Sequence, residues 1–447
     1  MLYTIVMNTQ TKQKRLETTA RFSELGVSSN LLARLDSLGF IYATPIQHQV
    51  IPVALQGTDV VGIAQTGTGK TLAFGVPLIQ RLGIHQGRGL IMLPTRELAL
   101  QVDETLRKVG GSLGLRTAVL IGGASMGKQL SDLRRDPHVV IATPGRLMDH
   151  LRQKNYSLRE LKIIVLDEAD RMLDIGFAKD ITAILNAAPR ERQTMLFSAT
   201  MPKEIAHLAG SYMKMPFRIE VAPAGTVVKT VEQEVFIVPK QEKLRLLDKL
   251  LTDTHGTVLV FSRTKHGAKK ITQVVRAMNH SVAEIHSNKS LNQRRAALDG
   301  FKSGKFRVLI ATDIAARGID VSGIELVINF DLPDNSEDYV HRIGRTGRAG
   351  LFGRAVSFAT PDQRGDIRQI ERLIRKTLPI LALPTLPPPR ANLPTVTREY
   401  MPHSRPRQRA YGQTYGRGRG AEQRGSGGRR SGGGGQRSGG HRRRMGW

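Results

Sequence analysis

The chain of 447 residues contains no cysteine, so neither a disulfide framework nor a cysteine-ligated metal site is possible. That composition suits a reducing cytoplasm. The chain also lacks any uninterrupted apolar run of about eighteen residues, the length that a membrane-spanning helix needs, so we expect no segment to span a membrane. Residues 1–20 do not have the apolar core of a signal peptide, and we expect them to form a flexible lead-in.

Acidic residues are scarce: 38 Asp and Glu stand against 67 Lys and Arg, which gives a formal net charge of +29. This excess predicts a polyanionic partner. Charge alone leaves both nucleic acid and an anionic membrane surface open. Hydrophobic residues make up 40% of the chain, which is enough to build the cores of two or three ordinary domains.

The C-terminal part has almost no acidic or large apolar residues. Beyond residue 379 the chain is rich in Leu and Pro, and its final 47 residues contain twelve Arg, fourteen Gly and one acidic residue, Glu422. Such a segment buries too little apolar area to offset the entropy of ordering. We therefore predict that residues 379–447 form a disordered basic tail.

Short apolar runs recur along two stretches of the chain. Runs of this length that are apolar on both faces are typical of strands in a parallel sheet covered by helices on both sides. In the first stretch they are 59–64, 89–93, 117–121, 138–142, 162–166 and 194–197. In the second stretch they are 257–261, 282–285, 307–311, 326–330 and 355–358. The pattern predicts an α/β protein with two parallel sheets.

Residues 221–226, Val-Ala-Pro-Ala-Gly-Thr, separate the two stretches. Proline and glycine interrupt regular structure, so this segment is either an interdomain linker or an ordinary surface loop. We assign 222–228 as the linker, which gives a first domain at 21–221 and a second at 229–378.

A phosphate-binding loop is indicated by residues 64–71, Ala-Gln-Thr-Gly-Thr-Gly-Lys-Thr, between a predicted strand and an apolar, helix-like stretch. Its glycines allow backbone N–H groups to face phosphates at a helix N-terminus. Lys70 is expected to contact the β- and γ-phosphates, and the Thr71 hydroxyl to bind Mg²⁺. The general pattern begins with Gly where this chain has Ala64, which is also small. The nucleotide-binding residues of this loop are Ala64, Gln65, Thr66, Gly67, Thr68, Gly69, Lys70 and Thr71.

The second half of an ATPase site is indicated by residues 163–170, Ile-Ile-Val-Leu-Asp-Glu-Ala-Asp. An apolar strand here delivers Asp167 and Glu168 to its C-terminal end, where ligands of open α/β sheets bind. Asp167 is expected to hold Mg²⁺ through water, and Glu168 to polarise the attacking water.

Read in this order, these segments closely resemble the DEAD-box RNA helicases, whose name residues 167–170 spell. The resemblance covers residues from about 22 to 378. It implies two tandem RecA-like domains of helicase superfamily 2 that bind ATP and Mg²⁺. It also implies RNA-stimulated ATP hydrolysis that unwinds short duplexes or remodels RNA and RNA–protein complexes.

The same resemblance makes residues 39–47 an adenine-recognising segment. The Gln47 amide is able both to donate to and to accept from an adenine edge, while Phe40 or Phe22 covers the ring face. The family often has Pro where this chain has Ala43, a minor difference.

Three loops that follow predicted strands are implied to contact the RNA backbone rather than base edges, because they combine small residues, hydroxyls and Arg with helix N-termini. They contain Pro94, Thr95, Arg96, Gly122, Gly123, Thr143, Pro144, Gly145 and Arg146. Ser198 and Thr200 resemble the segment that couples the Asp-Glu-Ala-Asp strand to motions at the RNA site.

In the second half, residues 258–264, 312–320 and 341–348 match the remaining motifs. By the resemblance, Arg345 and Arg348 reach the γ-phosphate as arginine fingers, which contribute on the order of 10³-fold or more in rate. Gly318 and Asp320 belong to the nucleotide site and its interdomain interface, and His341 and Arg342 to interdomain coupling. The RNA contacts of this half are Arg263, Arg294 and Thr312.

The chain departs from the family at two further positions. Leu291 stands three residues before Arg294, where the family usually has Gln, and Ser287 follows His286, where Gly is common. These differences concern a local RNA contact and leave the ATPase residues intact.

The sequence is also compatible with two other functions: a DNA-directed helicase or translocase, and a non-catalytic RNA clamp. The expected partner is RNA, bound with little dependence on sequence. Ribosomal precursors and the RNA-degradation machinery are possible settings by analogy. We expect a monomeric core in the cytoplasm, with no membrane partner.

Overall fold

A computed structural model describes residues 20–65, 67–85, 87–221, 231–316, 321, 323–347 and 352–390. Residues 1–19 of the predicted lead-in, the predicted linker at 222–228 and tail residues 391–447 lie outside the described residues. Within the described ranges, no helix combines the length and the apolar character needed to cross a membrane.

The first half alternates strands and helices after a short 3-10 helix, Phe22–Glu24. Its strands are β1 (Val60–Ile63), β2 (Arg88–Met92), β3 (Thr117–Leu120), β4 (Val139–Ala142), β5 (Leu161–Leu166), β6 (Gln193–Ser198) and β7 (Phe217–Glu220). Its helices are α1 (Ser29–Ser37), α2 (Pro45–Leu55), α3 (Lys70–His85), α4 (Arg96–Gly110), α5 (Met126–Arg134), α6 (Pro144–Arg152), α7 (Ala169–Asp174), α8 (Ala178–Ala187) and α9 (Lys203–Tyr212).

These seven strands form one parallel sheet in the order β3-β4-β2-β5-β6-β1-β7. Alternate residues of a strand point to opposite faces. Along β5, Ile163 and Val165 pack in one hydrophobic cluster, whereas Ile164 and Leu166 pack in the other. Helices cover both faces, which explains why the central strands are apolar without alternation.

The second half repeats this architecture. Its strands are β8 (Val231–Ile237), β9 (Val258–Phe261), β10 (Val282–Ile285), β11 (Val308–Ala311), β12 (Leu326–Asn329), β13 (Gly353–Ala359) and β14 (Ile380–Leu381). Its helices are α10 (Lys243–Asp253), α11 (Lys265–Ala277), α12 (Leu291–Lys302), α13 (Asp313–Ala316), α14 (Ser336–Ile343) and α15 (Arg364–Ile374). The sheet is again parallel, in the order β10-β11-β9-β12-β13-β8-β14.

The predicted fold class, two parallel sheets flanked by helices, is confirmed. Every predicted apolar run contains most or all of one observed strand. The strands that the runs did not indicate are β7, β8 and β14. Strand β7 lies at a sheet edge and is mostly exposed, β8 alternates between buried and less buried residues, and β14 has two exposed residues.

Residues 379–390, which the sequence assigned to the tail, pack on the second half. Strand β14 pairs with β8, and Arg245 Nε donates to the Pro387 carbonyl at 2.8 Å. The Arg390 guanidinium contacts both carboxylate oxygens of buried Asp248, at 2.8 and 2.9 Å. The predicted boundary after residue 378 therefore falls short of the last residues that contact the second sheet.

Candidate functional site

The phosphate loop links the end of β1 to the start of α3, as its sequence predicted. Gly67 and Gly69 have φ values of 87° and 90°, a conformation that glycine adopts without strain. A Cβ atom on Gly69 would lie 2.4 Å from the Gln47 amide nitrogen, so the position also demands a residue without a side chain. The buried Lys70 Nζ donates to the Ala64 carbonyl at 3.0 Å, which holds the ammonium group over the loop.

The acidic pair follows β5 at the same carboxyl edge of the sheet. Asp167 Oδ1 lies 3.9 Å from Lys70 Nζ and accepts from the Glu168 backbone N–H at 2.9 Å. Glu168 is buried and adopts left-handed backbone angles, φ 51° and ψ 50°. That conformation is uncommon for a residue with a side chain and is enriched at functional sites.

The donors at this edge fit a magnesium ion that arrives with a nucleotide. Among the described residues, no group of three or more His, Cys, Asp or Glu side chains could hold a metal ion alone. The Asp167 carboxylate and the Thr71 hydroxyl are the oxygen groups that would hold Mg²⁺, Asp167 through water, and Mg²⁺ characteristically binds one or two carboxylates together with substrate phosphates and water. Burial raises the pKa of Asp167 to about 6, while neighbouring Lys70 opposes that rise.

The last carboxylate of the tetrad is bound by the Ser-Ala-Thr segment. Asp170 Oδ2 accepts from the backbone N–H groups of Ala199 and Thr200 and from the Thr200 hydroxyl, at 3.0–3.1 Å. Ser198 Oγ accepts from the Asp170 backbone N–H at 3.3 Å. The Ser198 and Thr200 hydroxyls, which the sequence predicted to couple the tetrad to the RNA site, therefore both contact Asp170, the last residue of the tetrad.

The adenine segment meets the phosphate loop through Gln47. The Gln47 side chain accepts from the Thr44 N–H and donates to the Gly69 carbonyl, both at 2.9 Å. The two aromatic candidates differ: Phe22 is 1% exposed within the hydrophobic core, whereas Phe40 is 38% exposed. A ring buried in the core has no free face for a nucleotide base, so the expectation for Phe22 is corrected and Phe40 remains.

The three predicted RNA loops of the first half lie side by side, because they follow the neighbouring strands β2, β3 and β4. The Arg96 guanidinium packs on Gly123, where a Cβ atom would lie 2.3 Å from Nη1. Arg146 Nη1 donates to the Ala124 carbonyl at 3.3 Å. Thr95 caps α4 by accepting from the Leu98 N–H. The remaining residues of these loops lie at the same edge; they are Pro94, Gly122, Thr143, Pro144 and Gly145.

Two predicted RNA residues of the second half lie at the ends of adjacent strands. Arg263 follows β9 and Thr312 follows β11, and these strands are paired in the sheet. The Arg263 side chain is partly exposed and contacts Asp334 at 3.1 Å. Both residues therefore lie at the carboxyl edge of the second sheet, the edge that corresponds to the RNA loops of the first.

Arg294 does not take the position expected of an RNA contact. It is buried, and its Nη2 donates to Glu97 Oε2 of the first half at 3.0 Å. Burial lowers the pKa of Arg294, and Glu97 opposes that shift. Leu291, one helical turn earlier, packs on a hydrophobic cluster of the first half. The start of α12 is thus an interdomain contact, and Arg294 is corrected to that role.

Arg342 was expected to couple the two halves, but its resolved polar contacts all lie within the second. Its guanidinium contacts Asp313 at 2.5 and 2.6 Å, the Asp331 carbonyl at 2.6 Å and Asn329 at 3.2 Å. It also lies over the Phe261 ring, 5.0 Å from the centroid. Arg342 therefore anchors α14 to its own domain.

A polar link between the halves at this end is made by Arg171 and Asp338, neither of which the sequence motifs indicated. Arg171 Nη1 donates to Asp338 Oδ1. These residues line one small cavity with His341 and the buried Arg345, whose Nε donates to the His341 carbonyl at 3.2 Å. No local spacing indicates this pair, because 167 residues separate its members.

Four predicted site residues lie outside the described residues: Thr66 of the phosphate loop, Gly318, Asp320 and the second arginine finger, Arg348. Thr68, which is described, donates from its hydroxyl to the Gln65 carbonyl at 2.7 Å. Thr71 lies in the first turn of α3, one residue after Lys70.

Comparison with known families and relatives shows which proteins the chain resembles. Residues 44–208 match the DEAD/DEAH box helicase family, and residues 242–350 match the helicase conserved C-terminal domain. A DEAD-box ATP-dependent RNA helicase named CshA from Bacillus cereus is 42% identical over 368 residues, which cover 82% of this chain and 70% of the relative. The Bacillus subtilis protein of that name is 40% identical over 371 residues, covering 82% and 75%.

Solved structures show the same architecture. Dbp5 from S. cerevisiae, bound to RNA and ADP BeF3, superposes with a TM-score of 0.74 at 27% identity, covering 81% of this chain and 95% of that one. A DEAD box protein from Methanococcus jannaschii has a TM-score of 0.50 at 38% identity, covering 82% and 100%.

Proposed function

Because the chain belongs to the DEAD-box family of ATP-dependent RNA helicases, we propose that one nucleotide site, built from both halves, couples ATP hydrolysis to closure on an RNA strand. The observation that carries this proposal is the burial of Lys70, Asp167 and Glu168 together at the carboxyl edge of the first sheet. Water exclusion there strengthens their interactions with phosphate charge.

In this mechanism the first half holds the nucleotide. Gln47 and Phe40 recognise the adenine, the loop N–H groups bind the phosphates, and Lys70 moves from the Ala64 carbonyl to the β- and γ-phosphates. Asp167, through water, and Thr71 would hold Mg²⁺, which would neutralise part of the phosphate charge when bound. Glu168 orients and polarises the water that attacks the γ-phosphate.

The second half completes the site when the domains close. Arg345 and Arg348 approach the γ-phosphate and stabilise the charge of the transition state. The loops around Arg96, Gly123 and Arg146, with Arg263 and Thr312 of the second half, bind the backbone of one RNA strand. Closure bends that strand and separates it from its partner over a few base pairs, and hydrolysis reopens the domains.

ATP turnover by the purified full-length chain tests this coupling. We expect single-stranded RNA to stimulate turnover, DNA to stimulate it poorly, and Glu168→Gln to abolish it while ATP still binds. Equal stimulation by DNA would favour a DNA-directed translocase. Stimulation that is absent at every salt concentration would contradict the coupling, and a Glu168→Gln chain that keeps its cellular function would favour a non-catalytic clamp.

We also propose a setting in the cell for this activity. A chain with a basic tail and no cysteine suits RNA metabolism in the cytoplasm, with a monomeric core acting on ribosomal precursors or with the RNA-degradation machinery. Crosslinking the protein to RNA in cells and sequencing the attached RNA would identify the substrate. Recovery of DNA or membrane lipid in place of RNA would contradict this assignment.

A further inference from the structure

Two oppositely charged side chains meet across the domains beside the proposed arginine finger. Arg171 follows the Asp-Glu-Ala-Asp tetrad directly, and its guanidinium contacts the Asp338 carboxylate of α14. Arg171 is only 3% exposed, and the Asp338 side chain is 14% exposed. Charges this far from water interact strongly with each other, but they are costly when left unpaired.

Helix α14 connects this ion pair to the finger. Asp338 lies three residues before His341 and seven before Arg345. The same helix is fixed to its own domain by Arg342, which binds Asp313 and the Asp331 carbonyl. A contact at Asp338 therefore positions a rigid element whose C-terminal end leads into Arg345.

The packing around the pair is tight. Arg171, Asp338, His341 and Arg345 line a cavity of about 10 Å³, which is close to the minimum space for one water molecule. Arg171 Nη2 is buried without a hydrogen-bond partner among the described residues. The Asp174 carboxylate, in the same helix as Arg171, lies 3.8 Å from the Arg171 guanidinium. It is able to pair with that positive charge when the domains separate.

We propose that Arg171 and Asp338 are a positioning pair that forms on domain closure and places α14 so that Arg345 reaches the nucleotide. This inference rests on the proposed role of Arg345 at the γ-phosphate. Arg171, the residue after the tetrad, then forms its ion pair with the second domain when the domains close. Neither member of the pair needs to contact the nucleotide or the RNA.

An interdomain ion pair differs in its effect from one inside a domain. Removing one partner within a domain leaves a buried charge and destabilises the fold. Here the unpaired charge regains water when the domains open, so its cost falls on the closed state alone. Loss of Asp338 should therefore shift the open–closed equilibrium and leave the folded domains intact.

The test compares Asp338→Asn, Arg171→Gln, their double variant and the conservative Asp338→Glu in the full-length chain. We expect Asp338→Asn to lower the RNA-stimulated kcat on the order of ten- to a hundred-fold, with an unchanged KM for ATP without RNA. The double variant should lose less than the product of the two single effects, because the unpaired buried cation is gone. Asp338→Glu should retain most of the activity.

Asp174→Asn is the matched control, because the Asp174 carboxylate also lies beside the Arg171 guanidinium but belongs to the same domain. It should retain RNA-stimulated turnover. Closure is measured directly by energy transfer between dyes on Glu204→Cys and Lys305→Cys, which label specifically because the chain has no other cysteine. With a non-hydrolysable ATP analogue and oligouridylate, Asp338→Asn should show reduced transfer at an unchanged melting temperature.

The proposal is overturned if Asp338→Asn closes like the parent, or if the single and double effects multiply independently. A melting temperature lowered for Asp338→Asn but not for Asp174→Asn, with closure intact, would assign the pair to fold stability instead. Energy transfer measures the effect of the pair on domain closure even if RNA does not stimulate ATP turnover. Failure of the proposed ATP–RNA coupling and failure of this inference are therefore separate results.

Discussion

Gly69 shows how closely the adenine segment packs against the phosphate loop. Its φ of 90° and the 2.4 Å separation between a Cβ atom and the Gln47 amide both exclude a side chain. We expect Gly69→Ala to displace Gln47 and to raise the KM for ATP at least about tenfold, since strain in this region costs on the order of 1–2 kcal/mol before any displacement. Steady-state ATP turnover measures the effect.

Gly83→Ala provides the control for that substitution. Gly83 lies in α3, and a Cβ atom there meets no atom within 4 Å. Its replacement should leave the KM unchanged and stabilise the helix by up to about 1 kcal/mol. An unaltered KM in Gly69→Ala would show that the observed contact between Gly69 and Gln47 does not govern nucleotide binding.

The two aromatic candidates for adenine stacking are separable by substitution. Phe40→Ala should raise the KM for ATP and leave thermal stability almost unchanged, because its ring is substantially exposed. Phe22→Ala should instead destabilise the fold by about 3–5 kcal/mol, the usual effect of emptying a core aromatic site. Parallel thermal melts and ATP titrations decide between these roles. A Phe40→Ala chain with normal ATP affinity would remove Phe40 from the adenine site.

Arg294 and Arg342 show what motif spacing at the residue scale does not reveal. Both occur in segments that resemble nucleic-acid or nucleotide contacts, but the structure pairs each of them with a carboxylate of the protein. Their partners, Glu97 and Asp313, lie 197 and 29 residues away. Only the fold brings such charges together, so a buried ion pair could not be distinguished from a ligand contact in the sequence.

At the scale of elements, the first turn of α12 joins the two halves through an apolar contact as well as an ion pair. Leu291→Ala removes the side chain that packs on the first half. We expect the RNA concentration for half-maximal ATPase stimulation to rise roughly fivefold, as the loss of about 1 kcal/mol of apolar contact predicts. Turnover without RNA should not change.

Asp299→Asn on the exposed side of the same helix is the comparison. The exposed ion pair of Asp299 with Arg295, at 3.7 Å, contributes little to stability. This variant should respond to RNA like the parent. If Leu291→Ala also responds like the parent, the apolar contact does not contribute to closure.

The strands that the sequence predicted well are those that are buried on both faces of the sheet. Central strands such as β5 are covered on both faces, so all residues of β5 except Lys162 are apolar and buried, and the run stands out. Strand β7, with one buried residue of four, carries no such signal. Strand β14 is shorter still, and its position depends on pairing with β8, a contact 145 residues away in its first pair.

Truncation tests where the second half ends. A chain that stops after Arg390 should melt like the full-length protein. A chain that stops after Leu378 loses β14, the Arg245 contacts and the Arg390–Asp248 ion pair, and should melt several degrees lower, at about 2–4 °C for each kcal/mol. Equal melting temperatures for the two truncated chains would place the end of the folded second half at residue 378.

At the scale of the whole molecule, the basic tail should supply RNA affinity that does not depend on the catalytic site. Deleting residues 401–447 removes twelve Arg and one Glu. We expect weaker RNA binding and a shallower dependence of the binding constant on salt, because fewer counterions are released. Basal ATP hydrolysis should remain almost intact. RNA affinity unchanged at every salt concentration would make the tail a passive solubilising segment.

The pairing of the strands also sets an order in which the two halves are able to fold during synthesis. The first sheet is complete once β7 has emerged, since all its strands lie between residues 60 and 220. In the second sheet the earliest strand, β8, lies between the two latest, β13 and β14. The first domain is therefore able to fold long before strand β8, which begins at Val231, can pair with β13 and β14. We expect chaperones to be needed most while the second domain is being synthesised.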